Sequence, residues 1–143
     1  MKNVSGTKFS KIVMSIILAS YTIMALLTIG VLYNLYYPYK PICLELKVEN
    51  HNPVRGETLE FKLEGEKFMP IPVDVFIELV DGENYAIMSY FENNPVGKFV
   101  KTKKFIVPNI KPGEYKLRWT GKYKVNCMRE VNVTAYSNGF YLK

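Results

Sequence analysis

From Ile12 to Tyr37 the chain reads IVMSIILASYTIMALLTIGVLYNLYY, and no Asp, Glu, Lys or Arg stands between Lys11 and Lys40. A bilayer core about 30 Å thick is crossed by about 20 apolar residues wound as a helix, so this run spans it with residues to spare. Beyond Pro41 the pattern changes to short alternating segments separated by Gly, Pro and Asn. The sequence therefore divides into a basic cytoplasmic segment (1–11), a transmembrane signal-anchor helix (12–37), a juxtamembrane linker (38–41) and an extracytoplasmic β domain (42–143).

The flanks of the span set its expected orientation. Lys2, Lys8 and Lys11 precede it without an acidic residue, and positive charge beside a first span favours keeping that end in the cytoplasm. The expectation is a single-pass cytoplasmic-membrane protein whose C-terminal domain is periplasmic or extracellular. Tyr33, Tyr36, Tyr37 and Tyr39 cluster at the far end of the run, where phenols bury their rings and keep their hydroxyls wet. A cleaved signal peptide has an apolar stretch of about 7–15 residues ending in small residues; this run is longer and ends in Tyr, Asn and Pro, which favours an uncleaved anchor. Ser15, Ser20, Thr22 and Thr28 are tolerable in lipid because hydroxyls bond back to the preceding helical turn. Ala25 and Gly30 do not form the G-x-x-x-G pair of a helix-dimerisation face.

Three of the 19 Lys and Arg precede the span and all 13 acids follow it, so the formal charge of +6 leaves the outer domain only mildly basic. A nucleic-acid binder concentrates basic charge around a recognisable motif, and none is present. About 100 residues remain after the span, the size of one sandwich domain.

Seven segments read as strands. In Ile42 to Glu49, Leu44, Leu46 and Val48 alternate with Glu45, Lys47 and Glu49, the period of a half-buried strand. Thr58 to Glu64 and Val73 to Leu79 repeat it, the latter ending in the turn signal Asp81-Gly82. Tyr85 to Phe91 and Phe99 to Val107 are less regular. Glu114 to Val125 alternates most clearly, with Tyr115, Leu117, Trp119, Tyr123 and Val125 inward and Lys116, Arg118, Lys122 and Lys124 outward. Arg129 to Tyr136 is the last. Such spacing, without an amphipathic helix, predicts a mainly β protein: a seven-stranded, immunoglobulin-like antiparallel β-sandwich preceded by one transmembrane helix. In Pro112-Gly113-Glu114-Tyr115 the tyrosine stands where its hydroxyl can tie the incoming loop to the sheet.

The runs VRGETLEFKLEGEKFMPIPVDVFIELVDGENY, FIVPNIKPGEYKLRWTGKYKVN and MREVNVTAYSNGFYL, with the turn at Asn94 to Gly97, together resemble a group of small phage-encoded membrane proteins. These pair an N-terminal span with a sandwich of this pattern. The likeness covers most of residues 53–142 and is most specific at Leu79-Val80-Asp81-Gly82, at Pro112 to Leu117, and at Tyr123-x-Val125-Asn126 followed by Arg129. It implies a fold and a viral origin, and it brings no catalytic residue. A looser similarity to macroglobulin-type sandwiches, through Arg55-Gly56-Glu57-Thr58 and the same tyrosine corner, bears on architecture alone.

An exported pair of cysteines is usually bridged. Cys43 opens the first strand and Cys127 precedes the last; if those strands run side by side, the two meet, and a Cys43–Cys127 disulfide is expected. His51, the only histidine, lies in Asn50-His51-Asn52-Pro53, a turn composition, and no nucleophile motif accompanies it. Neither the cysteines nor the carboxylates have the spacing of a metal site, and no phosphate-binding glycine loop occurs. Asn132-Val133-Thr134 matches a glycosylation sequon inside a predicted strand.

The resulting expectation is a non-enzymatic, membrane-tethered interaction domain at the cell envelope. It takes no cofactor, metal, small-molecule substrate or nucleic acid, contacts lipid through residues 12–37, and binds a protein of the envelope or virion. The alternative is a structural or accessory subunit of a larger membrane or virion assembly. The candidate binding set is Asn52, Arg55, Asp81 and Asn109, in loops expected at the end of the sandwich away from the anchor. The basic strand face Lys116, Arg118, Lys122 and Lys124 is the other candidate, unless Asp74, Glu78 and Glu130 neutralise it.

Overall fold

A computed structural model describes residues 4–127 and 129–143, with side chains from Ser10 onward; Lys2 and the side chain of Lys8 lie outside the described residues. The chain divides into two units, Met1–Pro38 and Tyr39–Lys143.

In the first unit α1 runs from Val4 to Tyr36. Its stretch Ser10–Tyr36, 27 residues, is long and apolar enough to cross a membrane, about 40 Å at helical rise. Ile, Val and Thr are poor helix formers in water, but in hydrocarbon a helix is the structure that satisfies every backbone group within one segment. The polar side chains are accommodated locally: Ser15 Oγ donates to Lys11 O, Thr22 Oγ1 to Leu18 O and Thr28 Oγ1 to Met24 O, at 2.8–3.0 Å. Asn34 Nδ2 does the same to Gly30 O at 2.9 Å. Tyr33 and Tyr37 stack at its end, ring centroids 4.9 Å apart.

The second unit is two antiparallel sheets. β1 (Ile42–Val48), β2 (Thr58–Lys67) and β5 (Gly97–Ile106) form one in the order β1-β2-β5. β3 (Val73–Val80), β4 (Asn84–Glu92), β6 (Gly113–Asn126) and β7 (Arg129–Tyr136) form the other in the order β4-β3-β6-β7, with β8 (Phe140–Leu142) also on β6. The chain changes sheet at three connections, 68–72, 93–96 and 107–112, while β1/β2, β3/β4 and β6/β7 are hairpin partners.

One core lies between the sheets. Leu46, Val48, Leu59, Phe61, Leu63 and Phe105 from the first meet Val75, Ile77, Leu79, Leu117, Trp119 and Tyr123 from the second, all buried. Trp119, Tyr115 and Tyr123 are the largest fully covered side chains. Gly121 opposes Val75 and leaves room for the indole: a Cβ there would lie 2.3 Å from Trp119 Cη2. The expected tyrosine corner is formed, Tyr115 Oη donating to Lys111 O at 2.9 Å.

Eight strands are present where seven were expected. β8 continues the β7 ladder along β6 after an interruption at Ser137–Gly139, pairing Tyr115 with Phe140 and Gly113 with Leu142. Within the interruption Ser137 exchanges hydrogen bonds with Leu117: its N donates to Leu117 O and its Oγ accepts from Leu117 N, both at 2.9 Å.

The expected Cys43–Cys127 bridge is not formed; both are exposed free thiols. β1 and β7 do lie against each other and run the same way, but they belong to different sheets and share no ladder. Cys43 is on the outward, exposed parity of β1, between half-buried Ile42 and Leu44.

Candidate functional site

The register sorts the connections of the β unit to two ends. β1 enters at Ile42, opposite Lys67, which in turn faces Gly97, and Val73 faces both Glu92 and Tyr123. The entry end therefore carries 68–72, 93–96 and the β6–β7 turn. The far end carries 49–57, 81–83, 107–112 and 137–139.

All four candidate loop residues, Asn52, Arg55, Asp81 and Asn109, lie at the far end. Their loops are held by main-chain bonds: Gly56 N to Val107 O and Val107 N to Glu57 O, at 3.0 and 2.9 Å, and Tyr141 N to His51 O at 2.8 Å. Gly56, at φ +82°, supplies a left-handed turn residue. Asn50 Oδ1 accepts from Asn52 N at 3.0 Å, an Asx turn that leaves the Asn52 side chain exposed, as are Arg55 and Asn109.

Asp81 differs from these. Its side chain is only 9 % exposed, with Oδ2 3.6 Å from Lys111 Nζ. Its Oδ1 accepts from Glu83 N at 3.2 Å, and that backbone donor, ahead of Lys111, holds its carboxyl below the usual carboxylate range. Tyr85 Oη donates to Glu83 Oε2 at 2.8 Å, which, with partial desolvation, pushes the phenol up to about 12. Asp81 is thus engaged in building its turn, and of the four candidates Asn52, Arg55 and Asn109 have exposed side chains.

The basic face of β6 is the outer surface of the larger sheet, and all of its cations but Lys116, which stands opposite Val80, have a carboxylate across the ladder. Glu78 Oε2 accepts from Arg118 Nε and Nη2 at 2.9 and 2.6 Å, and this pairing raises the guanidinium above its ordinary value. Lys122 stands opposite Asp74 and Lys124 opposite Glu130 in the ladders. Lys122 Nζ also sits 4.9 Å from the centre of the Phe76 ring.

His51 is a loop residue, its Nδ1 3.4 Å from Asn138 Nδ2. Among the described residues no three His, Cys, Asp or Glu side chains come together as a metal site. Asn132 and Thr134 of the sequon are exposed on β7.

A polar cluster that sequence reasoning missed lies at the entry end, between β4 and β5. In β5 the alternation places Phe99, Lys101, Lys103 and Phe105 inward and Lys98, Val100, Thr102, Lys104 and Ile106 outward, so the strand's lysines are divided between its faces. Lys101 Nζ binds Glu92 Oε1, and Asn94 Oδ1 at 2.6 Å. Lys103 Nζ lies 3.9 Å from the centre of the Tyr90 ring. Lys67, at the inward end of β2, is only 2 % exposed and donates to Asn94 O at 2.7 Å.

The environment moves each group as its physics requires. Burial lowers Lys67, partly offset by Glu92. Burial works against the Glu92 carboxylate too, but hydrogen bonds from Lys101 and Asn94 outweigh it and hold the group below its ordinary value. Tyr90 is pushed up to about 12, first by burial and then by Glu92, and burial also raises Tyr123. Among the described residues the buried hydroxyl of Tyr123 has no hydrogen-bond partner, while that of Tyr90 is buried beside Trp119. The signal was present in the sequence: Phe99 and Phe105 share parity with Lys101 and Lys103.

No protein-family model matches the chain, and no curated protein matches its sequence. Among solved structures, a CARDB domain from Pyrococcus furiosus in complex with di-metal ions is 12 % identical with a TM-score of 0.48, over 73 % of this chain and 91 % of that one. An alkylpurine DNA glycosylase of Pseudomonas fluorescens bound to abasic-site DNA is 13 % identical with a TM-score of 0.44, over 74 % of this chain. A sporulation control protein of Bacillus subtilis is 11 % identical with a TM-score of 0.37, over 73 % of this chain. The matched region spans 31 % of the glycosylase and 50 % of the sporulation protein. These are distant likenesses, and what those proteins bind or act on is not carried to this chain.

Proposed function

We propose that this chain is a membrane-tethered, non-enzymatic interaction module of the cell envelope. Its N-terminus lies in the cytoplasm, and the β unit, an immunoglobulin-like sandwich of the phage type it resembles, lies outside. The observation that carries the reading is the joining of two self-sufficient parts. An apolar helix of bilayer-spanning length is followed, after a short linker, by a β unit whose core is filled by its own side chains. A unit with a filled core acts through its surface. The strand order and the tyrosine corner support the immunoglobulin-like part, and the lysines before the span support the orientation.

Within this reading the far-end loops bind the partner. Asn52, Arg55 and Asn109 are exposed side chains on loops fixed by main-chain bonds, and loops held by a rigid scaffold are the usual seat of recognition. The β6 face is the weaker candidate because three of its four cations, Arg118, Lys122 and Lys124, stand opposite carboxylates.

The test is capture of envelope proteins by the full chain from its native membrane. It compares the wild type with Asn52→Ala/Arg55→Ala/Asn109→Ala and with Lys116→Glu/Lys122→Glu/Lys124→Glu. Loss of the captured partner in the loop variant alone is expected. Unchanged capture there, with loss in the β6 variant, overturns the assignment.

A further inference from the structure

The sheets have four lateral edges, and three are protected. At the end of β1, Asn138 Oδ1 accepts from Val48 N at 2.8 Å and Asn138 Nδ2 donates to Val48 O at 2.9 Å, which fills the edge as a strand would. β1 and β7 lie against each other. β5 turns Lys101 and Lys103 inward, a recognised guard against edge-to-edge pairing.

β4 is guarded only toward its ends, by a bulge in its first half and by the inward Glu92 at its last residue. It pairs with β3 alone, and its sequence NYAIMSYFE contains no Lys, Arg, Pro or Gly. A bulge falls at Ile87, since Ile77 faces Met88 while Glu78 faces Ala86. The regular open edge is therefore Met88–Glu92. Phe91 on its outer face is 66 % exposed, beside a surface depression of about 220 Å³ bordered by Asp74, Phe76 and Ser89.

The charge next to this edge is one-sided. Lys67, Lys101 and Lys103 face a single carboxylate, Glu92, which Lys101 binds directly and Lys103 reaches only through its charge. The buried hydroxyl of Tyr123, without a partner among the described residues, and that of Tyr90, beside Trp119, are donors on the same inner side. A strand added to β4 would place alternate side chains toward these donors and the others toward Phe91.

We infer that the open edge of β4 at Met88–Glu92 takes up an extended acidic strand of a protein partner, with its carboxylates turned to Lys101 and Lys103 and its apolar side chains beside Phe91. The inference rests on the interaction-module reading but not on the far-end loops.

The probe is a fluorescein-labelled peptide of about eight residues alternating Val and Glu, a normal strand length, titrated against the full chain in detergent micelles by anisotropy. The acidic peptide binds. The same peptide with alternate backbone nitrogens methylated, which removes one row of donors, binds at least about tenfold more weakly, and so does a Val/Lys peptide. Lys103→Glu weakens the acidic peptide by about tenfold and favours the Val/Lys one. Lys103→Gln, which keeps a neutral polar group there, gives the intermediate weakening.

Absence of binding by the acidic peptide overturns the inference, as does equal binding of the methylated or the Val/Lys peptide. The Asn52/Arg55/Asn109 variant retains the peptide, so failure of the loop assignment and failure of the β4 assignment are read separately.

Discussion

Gly65→Ala tests how tightly the smaller sheet is built. Gly65 is the ladder partner of Leu44, and a methyl group on it would lie 2.3 Å from Cys43 O, 3.2 Å from Leu44 Cα and 3.2 Å from Phe99 Cζ. Two of those atoms are β1 backbone, so a rotamer change cannot relieve the contact. Either the core is overpacked, at about 1–3 kcal/mol, or the start of β1 peels away and gives up two or three ladder bonds worth about 1 kcal/mol each net. The two routes give about 1–3 and about 2–3 kcal/mol, which for a domain of this size lowers Tm by about 5–20 °C. Trp119 is the only tryptophan and is buried in the β unit, so its fluorescence on heating the micellar protein reports this transition alone. Gly56→Ala is the control. Nothing lies within 4 Å of its added methyl, but its φ of +82° costs about 1–2 kcal/mol in an L-residue. If Gly65→Ala melts with the wild type, or above Gly56→Ala, the close approach of β1 to β2 at this point is wrong.

Two further outcomes follow from named contacts. Asn138→Ala removes both bonds to Val48 and leaves a half-covered backbone pair unsatisfied, at about 1–3 kcal/mol; the Val48 amide then exchanges with deuterium faster, and unchanged protection would show that the side chain does not close the β1 edge. Glu92 has a folded pKa below its ordinary 4.5, so the stability it contributes is complete above that value and is lost as pH falls through the folded one; Glu92→Gln flattens this part of the acid limb of Tm against pH, and parallel limbs in the two proteins would refute the Glu92–Lys101 link.

How far the fold could be read from the sequence depended on whether a segment had one buried face. β6 alternates without exception from Tyr115 to Tyr123, and its orientation follows directly from the residues. β8 is three residues long, and a run so short has no period, so the Ser-Asn-Gly before it read as an end when it is a break in a ladder. β5 was located but read as irregular, although parity with Phe99 and Phe105 places two of its lysines inward; polarity alone suggests an outer face, and here the inward side chains belong to the rim of the core, where long stems are buried while their ammonium groups reach partners. The far-end loops were legible because Asn-x-Asn-Pro, Asp-Gly and Pro-x-x-x-Pro-Gly have turn chemistry of their own. Asn138 was not, because its bonds to Val48 join residues 90 positions apart.

The two gaps at the sides of the sheets are closed in ways that assign them different roles. On the β1/β7 side the closing group is an amide with two main-chain bonds to Val48 and a short side chain anchored beside Ser137. It can leave only by exposing a backbone donor and acceptor together, so this side behaves as fixed structure. On the β4/β5 side the closing groups are lysines. Each bond there ends on a flexible four-carbon stem, one ammonium rests on an aromatic face, and the Tyr123 hydroxyl has no partner among the described residues. Unpartnered donors in a covered site are costly, and an incoming acceptor lowers that cost where an amide clasp would gain nothing. Swinging Lys103 from the Tyr90 ring to a partner's carboxylate exchanges a cation–π contact for an ion pair without breaking a strand. The side that is less well satisfied in the free protein is therefore the side built to receive another chain.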